Sequence, residues 1–89
     1  MAISARPLRR VTFYTKPGCH LCEHAEEVLE DLQRDYDLRV TAIDITSDLS
    51  IFERYKYEIP VIAVDGGGTA SGRIAEADVR RALDKVRSD

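Results

Sequence analysis

The chain has 89 residues, 44% of them apolar and 33% charged, with a net charge of −3. That length holds one domain, expected to occupy residues 1–89, with the composition of an ordinary globular protein. No apolar run approaches the ~20 residues of a membrane-spanning helix. The basic residues are scattered over a net-negative chain, which gives no support to nucleic-acid binding.

Met1 to Arg10 carries three arginines but no apolar block of signal-peptide type behind them. The expected location is therefore the cytoplasm, a reducing compartment. Arg10 to Tyr14 is rich in β-branched and aromatic residues and reads as a first strand. Thr15-Lys16-Pro17-Gly18 follows as a turn, and a helix is expected to begin at about Cys19. Its apolar face comprises Leu21, Ala25, Val28, Leu29, Leu32 and Tyr36; Glu23, Glu26, Glu27, Glu30 and Asp31 form a solvated acidic one. Leu38 to Ile45 reads as a second strand. Ser47 or Asp48 then caps a short helix expected to carry Leu49, Phe52 and Tyr55 inward. After Glu58-Ile59-Pro60, the unbroken apolar run Val61 to Val64 predicts a strand covered on both faces. Asp65 to Gly68 is a loop able to supply positive φ, and Thr69 to Gly72 a partner strand in a hairpin. Val79, Ala82, Leu83 and Val86 mark one face of a last helix. The order is β-α-β-α-β-β-α, with the first two strands parallel, the last two antiparallel, and helices on both faces.

The chemistry concentrates at Cys19 and Cys22, the chain's two cysteines. At a helix start, unpaired N–H groups and the positive end of the macrodipole stabilise a thiolate, the nucleophile of disulfide exchange. Cys19 is placed there, and Cys22 lies one turn on, within reach of it. A structural disulfide is a weaker reading. Closing so short a loop restricts the unfolded chain by roughly 2 kcal/mol, against about 3 for fifteen residues. Buried inert thiols fit poorly with the Pro17-Gly18 turn. Metal binding by Cys19 and Cys22 with His20 or His24 lacks the second ligand pair of a structural zinc site, so no metal is expected within one chain. His20 either tunes the thiols or is simply exposed; Tyr14 is expected to pack, and Glu23 opposes ionisation of Cys19.

Cys-x-x-Cys at the first strand–helix junction, this strand order, and a proline opening the third strand resemble the thioredoxin fold across nearly the whole chain. The resemblance implies an α/β three-layer sandwich with a mixed four-stranded sheet. Within that superfamily, Lys16-Pro17-Gly18-Cys19-His20-Leu21-Cys22 is most similar to glutaredoxins, especially short glutaredoxin-like proteins with a Cys-His-Leu-Cys centre. The resemblance implies a monomeric thiol–disulfide oxidoreductase with Cys19 as nucleophile and Cys22 as resolving thiol. Its partners would be a disulfide-containing protein or a glutathione mixed disulfide. No tightly bound cofactor is implied; glutathione would serve as co-substrate. Lys16 would meet a glutathione carboxylate. Ile59-Pro60 would be cis, with the Ile59 backbone free to pair with an incoming peptide, and Gly72 would border the γ-glutamyl end. The chain departs from the pattern at Glu58, where threonine is usual, and through Ser71-Gly72-Arg73-Ile74-Ala75-Glu76, where only Gly72 fits. A non-catalytic module carrying metal or an iron–sulfur cluster, and a redox sensor binding a partner, stay open as alternatives.

Overall fold

The computed structural model describes residues 8–86. Strand β1 (Leu8–Thr15) leads to helix α1 (His20–Leu32), strand β2 (Asp37–Asp44), a 3-10 turn (Ile45–Ser47) and helix α2 (Leu49–Tyr55). Strands β3 (Val61–Val64) and β4 (Thr69–Ser71) and helix α3 (Glu76–Asp84) complete the order. The sheet runs β2-β1-β3-β4, with β1 parallel to β2, antiparallel to β3, and β3 antiparallel to β4.

The pleat sorts the side chains. On β1, Val11 and Phe13 face one side; in register with them stand Val64 and Ile62 of β3 and Val40 and Ala42 of β2. Val11, Phe13, Ile62 and Val64 are buried together with Ala25, Val28, Leu29 and Leu32 of α1 and Val79, Ala82 and Leu83 of α3. Both long helices thus cover this face. On the other face Tyr14 stacks on Tyr55 of α2, ring centroids 4.1 Å apart and 20° from parallel. Val61, in register with Tyr14, is buried there.

Two expectations about facing are corrected. Leu21 is 41% exposed although periodicity puts it on the apolar side of α1, because the first turn has only the exposed loop 16–18 beside it; Cys22 is buried in its stead. Leu49 is 76% exposed rather than inward. Asp48 caps α2 by accepting from the Ile51 N–H, so Leu49 is the first helical residue. At ~100° per residue it lies on the order of 110° from the centre of the half-buried arc Ile51, Phe52 and Tyr55. Val86 packs half-buried against the core as its spacing predicts, although it lies past the end of α3, and Ile74, ahead of α3, is buried too.

The β3–β4 turn is pressed onto α3. The Gly68 N–H donates to the Ala82 carbonyl at 3.1 Å, and a Cβ on Gly67 would overlap that same carbonyl oxygen. Gly67 is there for close approach, not for its φ. Since the obstacle is backbone, Gly67→Ala is expected to cost about 1–3 kcal/mol, the usual range for overpacking. Thermal unfolding monitored by circular dichroism should then show a midpoint lower by roughly 4–20 °C.

Candidate functional site

The central strand β1 ends at Thr15, and the exposed residues Lys16, Pro17 and Gly18 turn the chain toward α1. Gly18 has φ of +76°, a conformation open to glycine and strained for other residues, so the turn depends on it. Cys19 then serves as the N-cap of α1, with extended backbone (φ −101°, ψ 108°). Its Sγ accepts the Cys22 N–H at 3.1 Å, which satisfies one of the donors a helix start leaves orphaned. Cys19 is half-exposed, whereas Cys22 is 3% exposed within the core. The two are joined as a disulfide, their Cα atoms 5.2 Å apart. The leading sulfur is thus accessible and the second one shielded.

His20, the first helical residue, points to solvent at 96% side-chain exposure, its Nδ1 3.5 Å from Glu23 Oε1. So exposed a pair contributes little. Lys16 is exposed and, among the described residues, forms no hydrogen bond or ion pair.

The Ile59–Pro60 peptide is cis. Pro60 is buried, and its carbonyl accepts the Gly72 N–H at 2.9 Å, so Pro60 and Gly72 (φ +71°) are held together beside the β3–β4 pair. The side chains of Ile59 and Cys19 pack against the one core cluster that contains Cys22. One expectation fails here. The Ile59 N–H is not free for an incoming peptide: it donates to the Tyr55 carbonyl at 3.1 Å, at the end of α2. Glu58 N–H also donates to Tyr55, at 2.8 Å, so the chain between α2 and the proline coils tightly and uses its own donors. Among the described residues the Ile59 carbonyl accepts no backbone N–H. Tyr55, expected from its place on the inward arc of α2 to turn its side chain to the sheet, does so, and its carbonyl also takes up the N–H of Ile59, four residues on.

The Tyr14 phenol is raised above the ordinary 10.0, first by its hydrogen bond with Tyr55 and then by burial. Arg54 sits over the Tyr55 ring, 5.3 Å from its centroid. Neutral Tyr14 is therefore the form the fold favours. Its contribution to stability is complete below the unfolded value near 10 and is lost as pH rises through the higher folded value. Tyr55→Phe removes the leading cause, so the Tyr14 phenol, followed through its assigned ring resonances in an NMR pH titration, is expected to shift back toward 10.

A mixed four-stranded sheet flanked by helices, with Cys-x-x-Cys at the first strand–helix junction, defines a thioredoxin-like α/β protein. The family model described as a glutaredoxin-like domain matches residues 10–84, and the chain belongs to that family. A curated relative, the glutaredoxin-like protein YDR286C homolog of Dictyostelium discoideum, is 30% identical over 62% of this chain. The chain spans 56% of that relative's length. Among solved structures, protein XcR50 of X. campestris superposes with a TM-score of 0.72 at 24% identity, covering 83% of this chain and 95% of that one. Protein Ne2328 from Nitrosomonas europaea gives 0.71 at 25% identity, covering 93% and 98%. A mutant thioredoxin from Halobacterium salinarum gives 0.68 at 18% identity, covering 91% and 77%, a likeness of fold. No helix among the described residues is long and apolar enough to cross a membrane.

Proposed function

We propose that this protein is a thiol–disulfide oxidoreductase in which Cys19 attacks and Cys22 resolves. The observation that carries the reading is the asymmetry of the pair: a half-exposed sulfur capping a helix, bonded by the N–H of a buried partner. In the reduced protein the same N–H and the helix start favour the anionic form of Cys19. The Cys19 thiolate attacks one sulfur of a substrate disulfide, forming a mixed disulfide and expelling the other substrate sulfur as thiolate. Cys22 gives up its proton, which the expelled thiolate takes, and then attacks the Cys19 sulfur. The second substrate sulfur leaves, and the Cys19–Cys22 disulfide remains. Two electrons pass from the protein's dithiol to the substrate, and an external thiol restores the pair.

The substrate class is a protein disulfide or a glutathione mixed disulfide, with glutathione as the restoring thiol and no resident cofactor. Lys16, exposed one turn before Cys19, is the cation available to a glutathione carboxylate. The Ile59 carbonyl and the Pro60–Gly72 corner supply the neighbouring backbone surface. A monomer in the cytoplasm suits this chemistry, since a reducing compartment keeps the pair poised for turnover.

Cys19→Ser is expected to abolish reduction of a model protein disulfide, and Cys22→Ser to accumulate a mixed disulfide on Cys19, visible by intact-mass measurement. An undiminished rate in Cys19→Ser would remove the proposal. In the reduced wild-type protein, brief alkylation followed by peptide mapping should label Cys19 well ahead of buried Cys22. Equal labelling would show that the sulfurs are not differentiated in the way the roles require.

A further inference from the structure

Helix α2 is short and covers only the end of its sheet face that holds Tyr14 and Val61. The other end of that face is open, a depression of about 520 Å³ lined by Arg10, Thr12, Arg39, Thr41, Ala63 and Asp65 among others. Arg10 of β1 and Arg39 of β2 are direct register partners, and so are Thr12 and Thr41. In-register residues on paired strands project to the same side, so the two arginine side chains leave the sheet side by side and both line this depression. Like charges directly opposite repel and are unfavourable in a sheet.

Among the described residues no ion pair offsets that repulsion. Among the described residues neither Arg10 nor Arg39 forms an ion pair or a side-chain hydrogen bond. Asp65, whose backbone N–H donates to the Arg10 carbonyl at 2.8 Å, lines the depression without pairing to either. Arg80 pairs with Asp35 and Glu76, Arg81 with Asp78 and Arg34 with Asp31, whereas Arg73, like Arg10 and Arg39, forms no ion pair among the described residues but stands outside the depression. The Arg10–Arg39 pair thus carries two charges with no ion-pair partner among the described residues, with two threonines in register beside it, in a concavity of small-molecule size.

We infer that this sheet face is a binding site for a phosphate-bearing small molecule, with Arg10 and Arg39 bridged by the phosphate oxygens. Guanidinium forks match phosphate geometry bidentately, and a dianion between them turns the repulsion into attraction. Thr12 and Thr41 hydroxyls donate to the oxygens left over, and Asp65 at the rim disfavours ligands that carry further negative charge on that side. The site lies at the start of β1. Arg10 to Thr15 spans five residue steps, about 16 Å along the strand, so the site is separate from the Cys19–Cys22 pair. Its occupancy does not depend on the redox function proposed above.

The test is a titration of the intact, oxidised protein with inorganic pyrophosphate, followed by amide-resolved NMR at constant ionic strength, with sodium chloride as the matched control. Saturable shifts are expected at Thr12, Thr41, Ala63 and Asp65 and not at His20 or Leu21. Arg10→Gln and Arg39→Gln should each weaken binding at least tenfold, and Arg73→Gln, another exposed arginine, should leave it unchanged. Both of the first two substitutions relieve repulsion in the free protein, so their thermal midpoints should equal or exceed the wild-type value, which guards against loss through misfolding. Shifts that do not saturate, that chloride reproduces, or that persist in the Arg10→Gln/Arg39→Gln double variant would overturn the site.

Discussion

A single hydrogen bond, Cys22 N–H to Cys19 Sγ, joins the fold to its chemistry. A helix start must satisfy its first donors, and most chains use a hydroxyl or carboxylate for this. Here the acceptor is a sulfur, so the demand of the backbone and the polarisation of the Cys19 sulfur are met by one contact. That contact needs the helix to begin one residue after Cys19, which needs the Gly18 turn, which in turn needs β1 to end where it does. The end of β1 is held from both sides, since every residue from Leu8 to Thr15 is in register with β2 and four of them also with β3. The most constrained strand of the sheet therefore delivers the least buried of the two sulfurs.

The same logic explains the division between Cys19 and Cys22. Residues 22, 25, 28, 29 and 32 of α1 all enter the core shared with α3, so the position of Cys22 is set by helix packing. Cys19 stands outside that packing as a cap. Nothing more than the three-residue separation is needed to make one sulfur accessible and the other not. Aromatic and cationic contacts hold the far end: Tyr36, just beyond α1, donates to Asp84 of α3 at 2.9 Å, and Arg9 and Arg80 lie 5.1 and 5.8 Å from its ring centre. This ties α1, β1 and α3 together at the end opposite the disulfide.

Strand order and helix placement were legible because they rest on patterns with a strong physical cause. The unbroken apolar run of β3 matches its residues, and the chemistry of Cys-x-x-Cys at a turn drew attention to the site. What escaped detection depends on three-dimensional neighbours. Leu49 reads as apolar and therefore inward, yet its orientation follows from where Asp48 starts the helix, a choice shared in sequence with Ser47. The facing of Arg10 and Arg39 depends on strand register, which composition does not carry. The use of the Ile59 N–H by Tyr55 depends on how tightly residues 55–59 coil, and no periodicity reports that.

That last bond has a thermodynamic consequence for recognition. Helix α2 contains no fully buried residue, and its final turn is held by local bonds together with the stacking of Tyr55 on Tyr14, fewer buried contacts than hold α1 or α3. A peptide that pairs with both backbone groups of Ile59 must first release Tyr55, and its observed affinity is scaled down by the fraction of molecules in which that turn is undone. For any peptide that pairs at Ile59, the strength of the C-terminal turn of α2 would therefore set an entry threshold: a ligand content with the carbonyl alone would meet a ready surface, while one demanding the amide as well would select a rarer conformer.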